Sequence, residues 1–243
     1  MAARLFVDAP LSADHCLTLP EAAARHVQVL RMQPGEQITL FNGLGGEWSA
    51  VIERMGRREV AVQLLSHAAI ERELATQVTL AVGMPANERF DWLVEKATEL
   101  GVGTIQPLVC ERSVLRLAGE RAERKREHWQ AVAIAAAEQC GRNRVPHIAT
   151  PAPFARWVGQ MTPCPLGGAP CWLLSLAGSA VRTLAGAARV GKLTVLSGPE
   201  GGLSPTEEAL ALQHGFMPVT LGPRTLRAET APLMVLSVLG AQA

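Results

Sequence analysis

Up to about residue 74, short apolar runs alternate with turn-forming residues. Short apolar runs that turn signals such as QPGE and NGLGGE separate predict β-strands. The predicted strands are RLFV (4–7), EQITLFNG (36–43), EWSAVIE (47–53) and EVAVQLLS (59–66). A helix, PEAAARHVQVLR, interrupts them, because Pro20 suits a first helical turn and the turn signal QPG ends the segment. Short strands at this spacing indicate a small β-barrel.

Beyond this point strands alternate with helices. The apolar runs QVTLAVGM, TIQPLVC, CWLLSL and KLTVLSG are continuous, which is typical of strands that are covered on both faces. Between them, NERFDWLVEKATELG has apolar residues at helical spacing and ends at Gly101, and RAERKREHWQAVAIAAAEQCG predicts a long helix. The alternation favours an α/β fold with a parallel sheet. We therefore predict two domains, a β-barrel over residues 1–73 and an α/β domain over residues 74–243.

The composition of the 243 residues limits the classes of protein to which the chain can belong. Hydrophobic residues make up 48% of the chain, yet no apolar run reaches the roughly 18 residues that a membrane span needs. The start MAARLFVDAP lacks the apolar core of a signal peptide. The five cysteines include no C-x-x-C pair, so no structural zinc site is expected, and a reducing compartment fits better than a disulfide framework. We expect a cytoplasmic protein with neither a metal nor a membrane partner.

The charge of the chain is nearly balanced, since 23 Lys and Arg against 22 Asp and Glu give a formal net charge of +1. This value neither requires nor excludes a nucleic-acid partner. Only Lys96, Lys125 and Lys192 are lysines, so nearly all the cations are arginines. Arginine forms bidentate contacts with phosphates and stacks on bases, although a compositional bias would produce the same pattern.

The stretch VLSGPEGGLSPTEEAL (195–210) places glycines between a strand and a helix that a capping box, Ser204 to Glu207, should open. The glycines therefore lie at the carboxyl end of a strand, where open α/β sheets bind ligands. No lysine follows them as in a Walker loop, and their spacing is not G-x-G-x-x-G. Such a loop is suited to present main-chain amides and carbonyls to a flat neutral group such as a nucleobase. A purely structural turn is the alternative.

A second stretch, VTLGPRTLRAETAPLMVLSVLG (219–240), repeats this design with a strand, a Gly-Pro turn and a predicted helix. The pattern places Arg224, Arg227 and Glu229 in the first turns of that helix. Arginine at a helix N-terminus opposes the helix dipole at a cost of about 0.3–1 kcal/mol. A ligand or an acidic neighbour would compensate for this cost, whereas Glu229 suits the dipole and fits a structural role.

Together, SGPEGGLSPTE and LGPRTLRAETA resemble the C-terminal signature of the SPOUT methyltransferases, most closely the family that methylates N3 of a uridine in small-subunit ribosomal RNA. FDWLVEKATELGVGTIQPLVCERSV and EQCGRNRVPHI are similar to that family's middle segments, and HVQVLRMQPGE to its PUA-like domain. The resemblance implies a trefoil knot, an exception to the rule that chains do not thread loops. It also implies an S-adenosylmethionine cofactor and a homodimer whose RNA pocket is shared between subunits.

The resemblance and the residue types together predict three sets of site residues. The expected cofactor-binding residues lie around the two Gly-Pro turns and are Leu174, Ser197, Gly198, Pro199, Gly201, Gly202, Leu221, Gly222, Arg224, Leu226 and Arg227. The expected RNA contacts in the first domain are His26, Arg31 and Arg4, of which Arg4 is suggested only by exposed charge at the start of the chain, and a surface histidine is the simpler explanation for His26. Gln139 and Arg144, together with Arg142, would contact either the RNA or the second subunit, and a solvated helix end is the alternative. The catalytic candidates are Glu200, Arg227 and Arg142.

Methylation of uracil N3 requires a proton acceptor and correct alignment of the two reactants. Uracil N3 must lose a proton before it attacks a methyl group, and general-base help is worth about 10²–10⁴-fold, or roughly 3–5 kcal/mol. Alignment of the reactants supplies about 7–11 kcal/mol, so positioning should dominate. Glu200 would act near the reacting centre or hold the loop through backbone hydrogen bonds, while Arg224 and Arg227 would hold phosphate or stabilise a uracil oxyanion. Other functions left open are methylation of a ribose 2′-hydroxyl or another base, and a non-catalytic RNA-binding module.

Overall fold

A computed structural model describes residues 3–13, 15–57, 59–161, 169–175, 182–184 and 191–241. The chain divides into two compact units, the first formed by residues 1–73 and 137–145 and the second by residues 74–136 and 146–243. The division predicted from the sequence, 1–73 and 74–243, differs in the short segment 137–145. That segment contains the end of a long helix, and only contacts distant in sequence decide to which unit it belongs.

The first unit is built around one sheet. Its elements are β1 (Ala3–Phe6), β2 (Cys16–Thr18), α1 (Glu21–Val29), β3 (Gln37–Phe41), β4 (Glu47–Met55) and β5 (Val60–Ala68). The strand order is β1-β3-β4-β5-β2, with β1 parallel to β3 and the other pairs antiparallel. The predicted helix and strands are confirmed, while β2 was not predicted because it has only three residues, two of them exposed.

The core of the first unit follows from the period of its elements. Alternate residues of the strands, such as Ile38, Leu40 and Ile52, are buried on one face of the sheet. Helix α1 contributes Ala23, Ala24 and Val27, which lie on one side of the helix and belong to the same apolar cluster.

The second unit contains a parallel sheet with helices between its strands. Its elements are β6 (Gln77–Gly83), α2 (Asn87–Glu99), β7 (Thr104–Val109), α3 (Gly119–Cys140, whose last residues belong to the first unit), β8 (His147–Ile148), β9 (Ala152–Pro153), α4 (Phe154–Gln160), β10 (Cys171–Leu174), β11 (Arg182–Thr183), β12 (Lys192–Ser197), α5 (Pro205–Gln213), β13 (Met217–Thr220) and α6 (Thr230–Gly240). The strand order is β11-β13-β10-β12-β6-β7-β8, with β9 also paired to β7, and all these pairings are parallel. The prediction of a parallel α/β fold is confirmed.

The sheet brings three loops to one edge. Strands β13, β10 and β12 are neighbours and run parallel, so their carboxyl ends, at Thr220, Leu174 and Ser197, lie on the same side of the sheet. The glycine-rich stretch follows β12, and the second Gly-Pro stretch follows β13. Both predicted ligand loops therefore occupy the edge at which open α/β sheets bind their ligands.

The predicted capping box is present at the start of α5. The Ser204 hydroxyl accepts a hydrogen bond from the Glu207 amide at 3.3 Å, and the Glu207 carboxylate accepts one from the Ser204 amide at 2.9 Å. Pro205 occupies the first helical turn. These contacts fix the point at which the glycine-rich loop ends and the helix begins.

The cysteines differ from the expectation at one position. Cys16, Cys110 and Cys140 are free thiols, as expected for a reducing compartment, but Cys171 at the start of β10 is disulfide-bonded. Cys164 lies outside the described residues. In the part of the chain that the structure describes, no helix is long and apolar enough to cross a membrane.

Candidate functional site

A pocket of about 310 Å³ lies at the carboxyl ends of β10, β12 and β13. Three segments and a few further side chains line it: Leu174 and Ser175 after β10; Ser197, Gly198, Pro199, Glu200, Gly202 and Leu203 after β12; Val219, Leu221, Gly222, Arg224, Thr225, Leu226 and Ala228 after β13; and Arg112, Glu208 and Ala231. The volume falls within the range of about 300–1,000 Å³ that is usual for small-molecule sites.

The pocket brings together most of the residues predicted to bind a cofactor. Of the eleven, only Gly201 and Arg227 are not among the described residues that line it. Sequence reasoning missed eight lining residues, which are Arg112, Ser175, Leu203, Glu208, Val219, Thr225, Ala228 and Ala231. Arg112 follows β7 in the stretch CERSV, so its position at the same end of the parallel sheet was a signal that could have revealed it.

Two glycines explain the shape of the loop after β12. A Cβ atom at Gly198 would lie 2.8 Å from the backbone nitrogen of Leu203, so any side chain there would collide with the loop itself. Gly202 has φ of +69°, a left-handed conformation that favours glycine. A Cβ atom at Gly202 would have no heavy atom of the described residues within 4 Å. Gly202 therefore leaves open space beside the main chain in which a ligand could approach.

Glu200 ties this loop to the start of α2. Its carboxylate accepts hydrogen bonds from the backbone amide of Ala86 at 3.0 Å and from the Arg89 guanidinium at 3.3 Å. The side chain is 29% exposed and also lines the pocket. Of the two roles predicted for Glu200, the holding of the loop thus has specific contacts in the structure.

Arg112 fastens the opposite side of the same loop. Its guanidinium donates hydrogen bonds to the carbonyl oxygens of Gly201 at 3.0 Å and Leu203 at 3.2 Å. Next to it, the amide of Glu111 donates to the Glu207 carboxylate at 2.9 Å. The glycine-rich loop is therefore held by the segments that follow β6 and β7.

The second Gly-Pro stretch differs from its prediction in where the helix begins. Helix α6 starts at Thr230, so Arg224 and Arg227 lie in the preceding loop and do not oppose its dipole as expected. Both arginines are exposed, and Arg224 lines the pocket while Arg227 does not. The carbonyl of Arg227 accepts hydrogen bonds from the first amides of α6. Glu229 is buried, and its Oε2 atom has no hydrogen-bond partner among the described residues.

The first unit holds the other catalytic candidate, Arg142, in an ion pair. Arg142 is buried, and its guanidinium donates to the Glu73 carboxylate through Nε at 3.0 Å and through a second, shorter contact. It is not among the residues that line the pocket. A buried arginine that already binds a carboxylate serves to fix the segment 137–145, which the short sequence pattern EQCGRNR does not show.

Two predicted RNA-contact residues also form ion pairs within the first unit. Arg4 donates to Glu47 at 2.7 Å and to the side-chain oxygen of Asn143 at 2.7 Å. Arg144, 52% exposed, contacts Glu71 at 3.3 Å. Glu47 also accepts from Arg72 and Asn143. Burial alone would raise the pKa of Glu47, but its hydrogen bonds outweigh that effect and lower the pKa.

The remaining RNA candidates lie on or just beyond helices of the first unit. Gln139 is exposed near the end of α3. His26 lies 3.7 Å from Glu138, whose carboxylate also accepts a hydrogen bond from the Phe6 amide. Burial raises the pKa of Glu138. Arg31 is exposed just beyond α1.

Comparison with known proteins identifies the family to which the chain belongs. The family model of an RNA methyltransferase domain matches residues 72–240, and that of an RNA methyltransferase PUA domain matches residues 19–65. The chain is 33% identical over 242 residues to the ribosomal RNA small subunit methyltransferase E of Synechocystis. This alignment covers 99% of this chain and 78% of the relative. The Bacillus subtilis protein of the same name is 32% identical over 219 residues, with 89% and 86% covered.

Two solved structures are similar over the whole chain. The ribosomal RNA small subunit methyltransferase E of Neisseria gonorrhoeae, bound to S-adenosylmethionine, gives a TM-score of 0.91 at 32% identity and covers 100% of this chain and 98% of its own. A Legionella pneumophila methyltransferase in complex with S-adenosylmethionine gives the same TM-score at 35% identity, with 100% and 98% covered.

Proposed function

Because this chain belongs to the family of RNA methyltransferases that carry a PUA domain, we propose that it transfers the methyl group of S-adenosylmethionine to N3 of a uridine in small-subunit ribosomal RNA. The observation that carries the proposal is the pocket formed by the two Gly-Pro loops. Relatives of similar fold bind S-adenosylmethionine and are named for small-subunit ribosomal RNA. The cytoplasm, where ribosomes are assembled, is the location that we propose.

The residues of the pocket suit S-adenosylmethionine. The loops after β12 and β13 contribute Gly198, Gly202 and Gly222 to the pocket lining, and the open space at Gly202 admits a ligand close to the main chain. We assign the adenine to the main chain of these loops, because a neutral flat base needs hydrogen bonds rather than a lysine. The bound cofactor supplies an electrophilic methyl group on a sulfonium.

The contribution of the protein to the reaction is mainly alignment. Glu200 and Arg112 hold the glycine-rich loop from two sides, and correct alignment of the reactants is worth about 7–11 kcal/mol. Arg224 lines the pocket as an exposed cation, and we assign it, with Arg227, to substrate phosphate or to the negative charge that develops on the uracil oxygen. The ion pair of Arg142 with Glu73 supports a structural role for Arg142 in place of a catalytic one.

We include the trefoil knot and the closed barrel in the proposal. The strand order supports the knot, because β10 lies between β12 and β13, which both follow it in the chain. A knot of this kind would place the two Gly-Pro loops side by side. The five-stranded order β1-β3-β4-β5-β2 is consistent with a small barrel that a contact between β1 and β2 would close.

We also propose that the enzyme works as a homodimer. Apolar side chains line a groove between α2 and α6, among them Trp92, which is 45% exposed, and the half-buried Met234. The buried carboxylate oxygen of Glu229 without a described partner lies just before α6. A second copy of the chain would cover the groove. Sedimentation of the wild type and of Trp92→Glu tests this, since a monomeric wild type would contradict it.

The function is tested by transfer of labelled methyl groups to small ribosomal subunits that lack modifications. We expect the label in the RNA. If alkali cleaves the phosphodiester bond that follows the labelled nucleotide, a ribose 2′-O-methyl product is excluded, because that methyl group makes the bond resistant to alkali. A protein that binds RNA and S-adenosylmethionine but transfers no label to any RNA would be the non-catalytic module instead. Label in another base would keep the enzyme class and overturn the N3 assignment.

A further inference from the structure

Glu208 is an unpaired carboxylate in the lining of the pocket. Four of the described lining residues are charged, and these are Arg112, Glu200, Glu208 and Arg224. The Glu200 carboxylate is bound by an amide and a guanidinium at the start of α2. The Glu208 carboxylate forms no hydrogen bond or ion pair with any residue that the structure describes. Within the described lining, Glu208 is therefore the carboxylate that remains for a ligand.

The position of Glu208 follows from the start of α5. Ser204 is the N-cap of this helix, and its carbonyl accepts a hydrogen bond from the Glu208 amide at 2.9 Å. Glu208 therefore lies one turn into the helix. Side chains of a helix lean toward its N-terminus, so that of Glu208 leans toward the glycine-rich loop. It is half-buried there and contributes to the pocket.

The stability of α5 does not require this second carboxylate. A negative charge near a helix N-terminus is favourable, but the effect falls off within the first turn. Glu207 already serves that purpose, because its carboxylate accepts hydrogen bonds from the amides of Ser204 and Glu111, both at 2.9 Å. Glu208 has no such contact. Its place in the pocket, rather than the helix end, accounts for its charge.

S-adenosylmethionine offers three kinds of group to a carboxylate. Its α-ammonium group is charged and donates hydrogen bonds. Its sulfonium is charged but donates none, and the methyl group that it carries must face the acceptor. Its ribose hydroxyls donate hydrogen bonds but are neutral. A bound ligand takes water away from Glu208, and a charge-assisted hydrogen bond offsets that loss better than a neutral one.

We propose that Glu208 binds the α-ammonium group of S-adenosylmethionine. The inference rests on the proposed function for the identity of the ligand. It assigns the amino-acid end of the cofactor to the side of the pocket formed by α5, while the adenine lies against the loops after β12 and β13. Glu208 is thus a cofactor-binding residue, and it takes no part in the transfer of the methyl group.

The test compares three ligands on the full-length wild type and on Glu208→Gln. S-adenosylhomocysteine keeps the amino-acid group but has a neutral sulfur, and methylthioadenosine keeps only the adenine, the ribose and a neutral sulfur. Calorimetry measures the first two Kd values with S-adenosylmethionine and S-adenosylhomocysteine, and displacement of S-adenosylmethionine measures the third. Glu208→Gln should raise the Kd of the two amino-acid ligands by a similar factor, about five- to fiftyfold. The Kd of methylthioadenosine should not change.

Glu88→Gln is the matched control, because Glu88 is an exposed glutamate in the first turn of α2 and does not line the pocket. It removes the same charge from a helix N-terminus and should leave all three Kd values unchanged. Urea midpoints of both variants show whether either loses stability. A loss confined to S-adenosylmethionine would assign Glu208 to the sulfonium, and an equal loss for all three ligands would assign it to the ribose. Either result, or three unchanged Kd values, overturns the proposal.

Failure of the proposed function gives a different pattern. If the wild type binds S-adenosylmethionine but forms no methylated nucleoside, the proposed reaction fails while the Kd pattern of Glu208→Gln still decides the role of Glu208. If the wild type binds none of the three ligands, the cofactor assignment and the role of Glu208 are both refuted. In the methyl-transfer assay Glu208→Gln should raise the KM for S-adenosylmethionine with little change in kcat.

Discussion

Replacement of Gly202 by valine should separate cofactor binding from folding. The φ of +69° imposes a backbone penalty of about 1–2 kcal/mol on any other residue. No heavy atom of the described residues lies within 4 Å of the added Cβ, and Gly202 lines the pocket, so the valine side chain should occupy space that the ligand needs. Crowding of a filled site costs about 1–3 kcal/mol, which corresponds to a Kd for S-adenosylmethionine raised about 5- to 150-fold.

Calorimetric titration with S-adenosylmethionine measures this Kd, and urea denaturation measures the free energy of unfolding. Gly35→Val is the matched control, because Gly35 has φ of +91° and likewise no described heavy atom within 4 Å of an added Cβ, but it lies in a turn of the first unit. It should lose a similar free energy of unfolding and keep the wild-type Kd. A folded Gly202→Val variant with the wild-type Kd would refute the assignment of this pocket to the cofactor.

Four further predictions concern residues around the pocket and the ion pairs. Arg112→Ala should raise the Kd for S-adenosylmethionine by about three- to tenfold, since two hydrogen bonds to the loop are lost; a calorimetric Kd equal to that of the wild type would contradict its holding role. Glu200→Gln keeps an acceptor for the Ala86 amide, so methyl transfer should stay within about fivefold of the wild type, whereas loss of a general base would cost about 10²–10⁴-fold in kcat. Because the pKa of Glu47 is lowered in the fold, its stabilisation is complete above the ordinary carboxyl pKa and disappears as the pH falls through the lowered value. The difference in free energy of unfolding between the wild type and Glu47→Gln, from urea titrations, should therefore be largest near neutral pH and shrink in acid, and a constant difference would count against the ion pairs. Burial raises the pKa of the Cys110 thiol to about 12, so iodoacetamide at mildly alkaline pH should label it only in urea, as peptide mass spectrometry would show.

The local features of the second unit were predictable because short sequence patterns determine them. The continuous apolar runs gave the buried parallel strands, and Ser204, Pro205 and Glu207 gave the start of α5. The position of both Gly-Pro loops at one sheet edge followed from the rule for parallel strands. These patterns predicted the place of the two Gly-Pro loops, and the family resemblance predicted the individual cofactor-binding residues.

Contacts between distant parts of the chain were not predictable in this way. Arg4 binds Glu47 and Arg142 binds Glu73, at separations of 43 and 69 residues, so a basic residue that resembled an RNA contact proved to be half of an ion pair. The start of α6 was predicted too early, because the residues from Arg224 onward are compatible with a helix in sequence, whereas α6 begins at Thr230. Arg112 was missed for a similar reason, since its partners are two backbone carbonyls of a distant loop.

The central claim is tested most directly by nucleoside analysis of small-subunit RNA after incubation with the wild-type protein and S-adenosylmethionine. The subunits must lack modifications beforehand, and heat-treated protein serves as the blank. The account predicts that N3-methyluridine accumulates with the protein and not with the blank. Methylation of a different nucleoside, or the absence of any methylated nucleoside although S-adenosylmethionine binds, would contradict it.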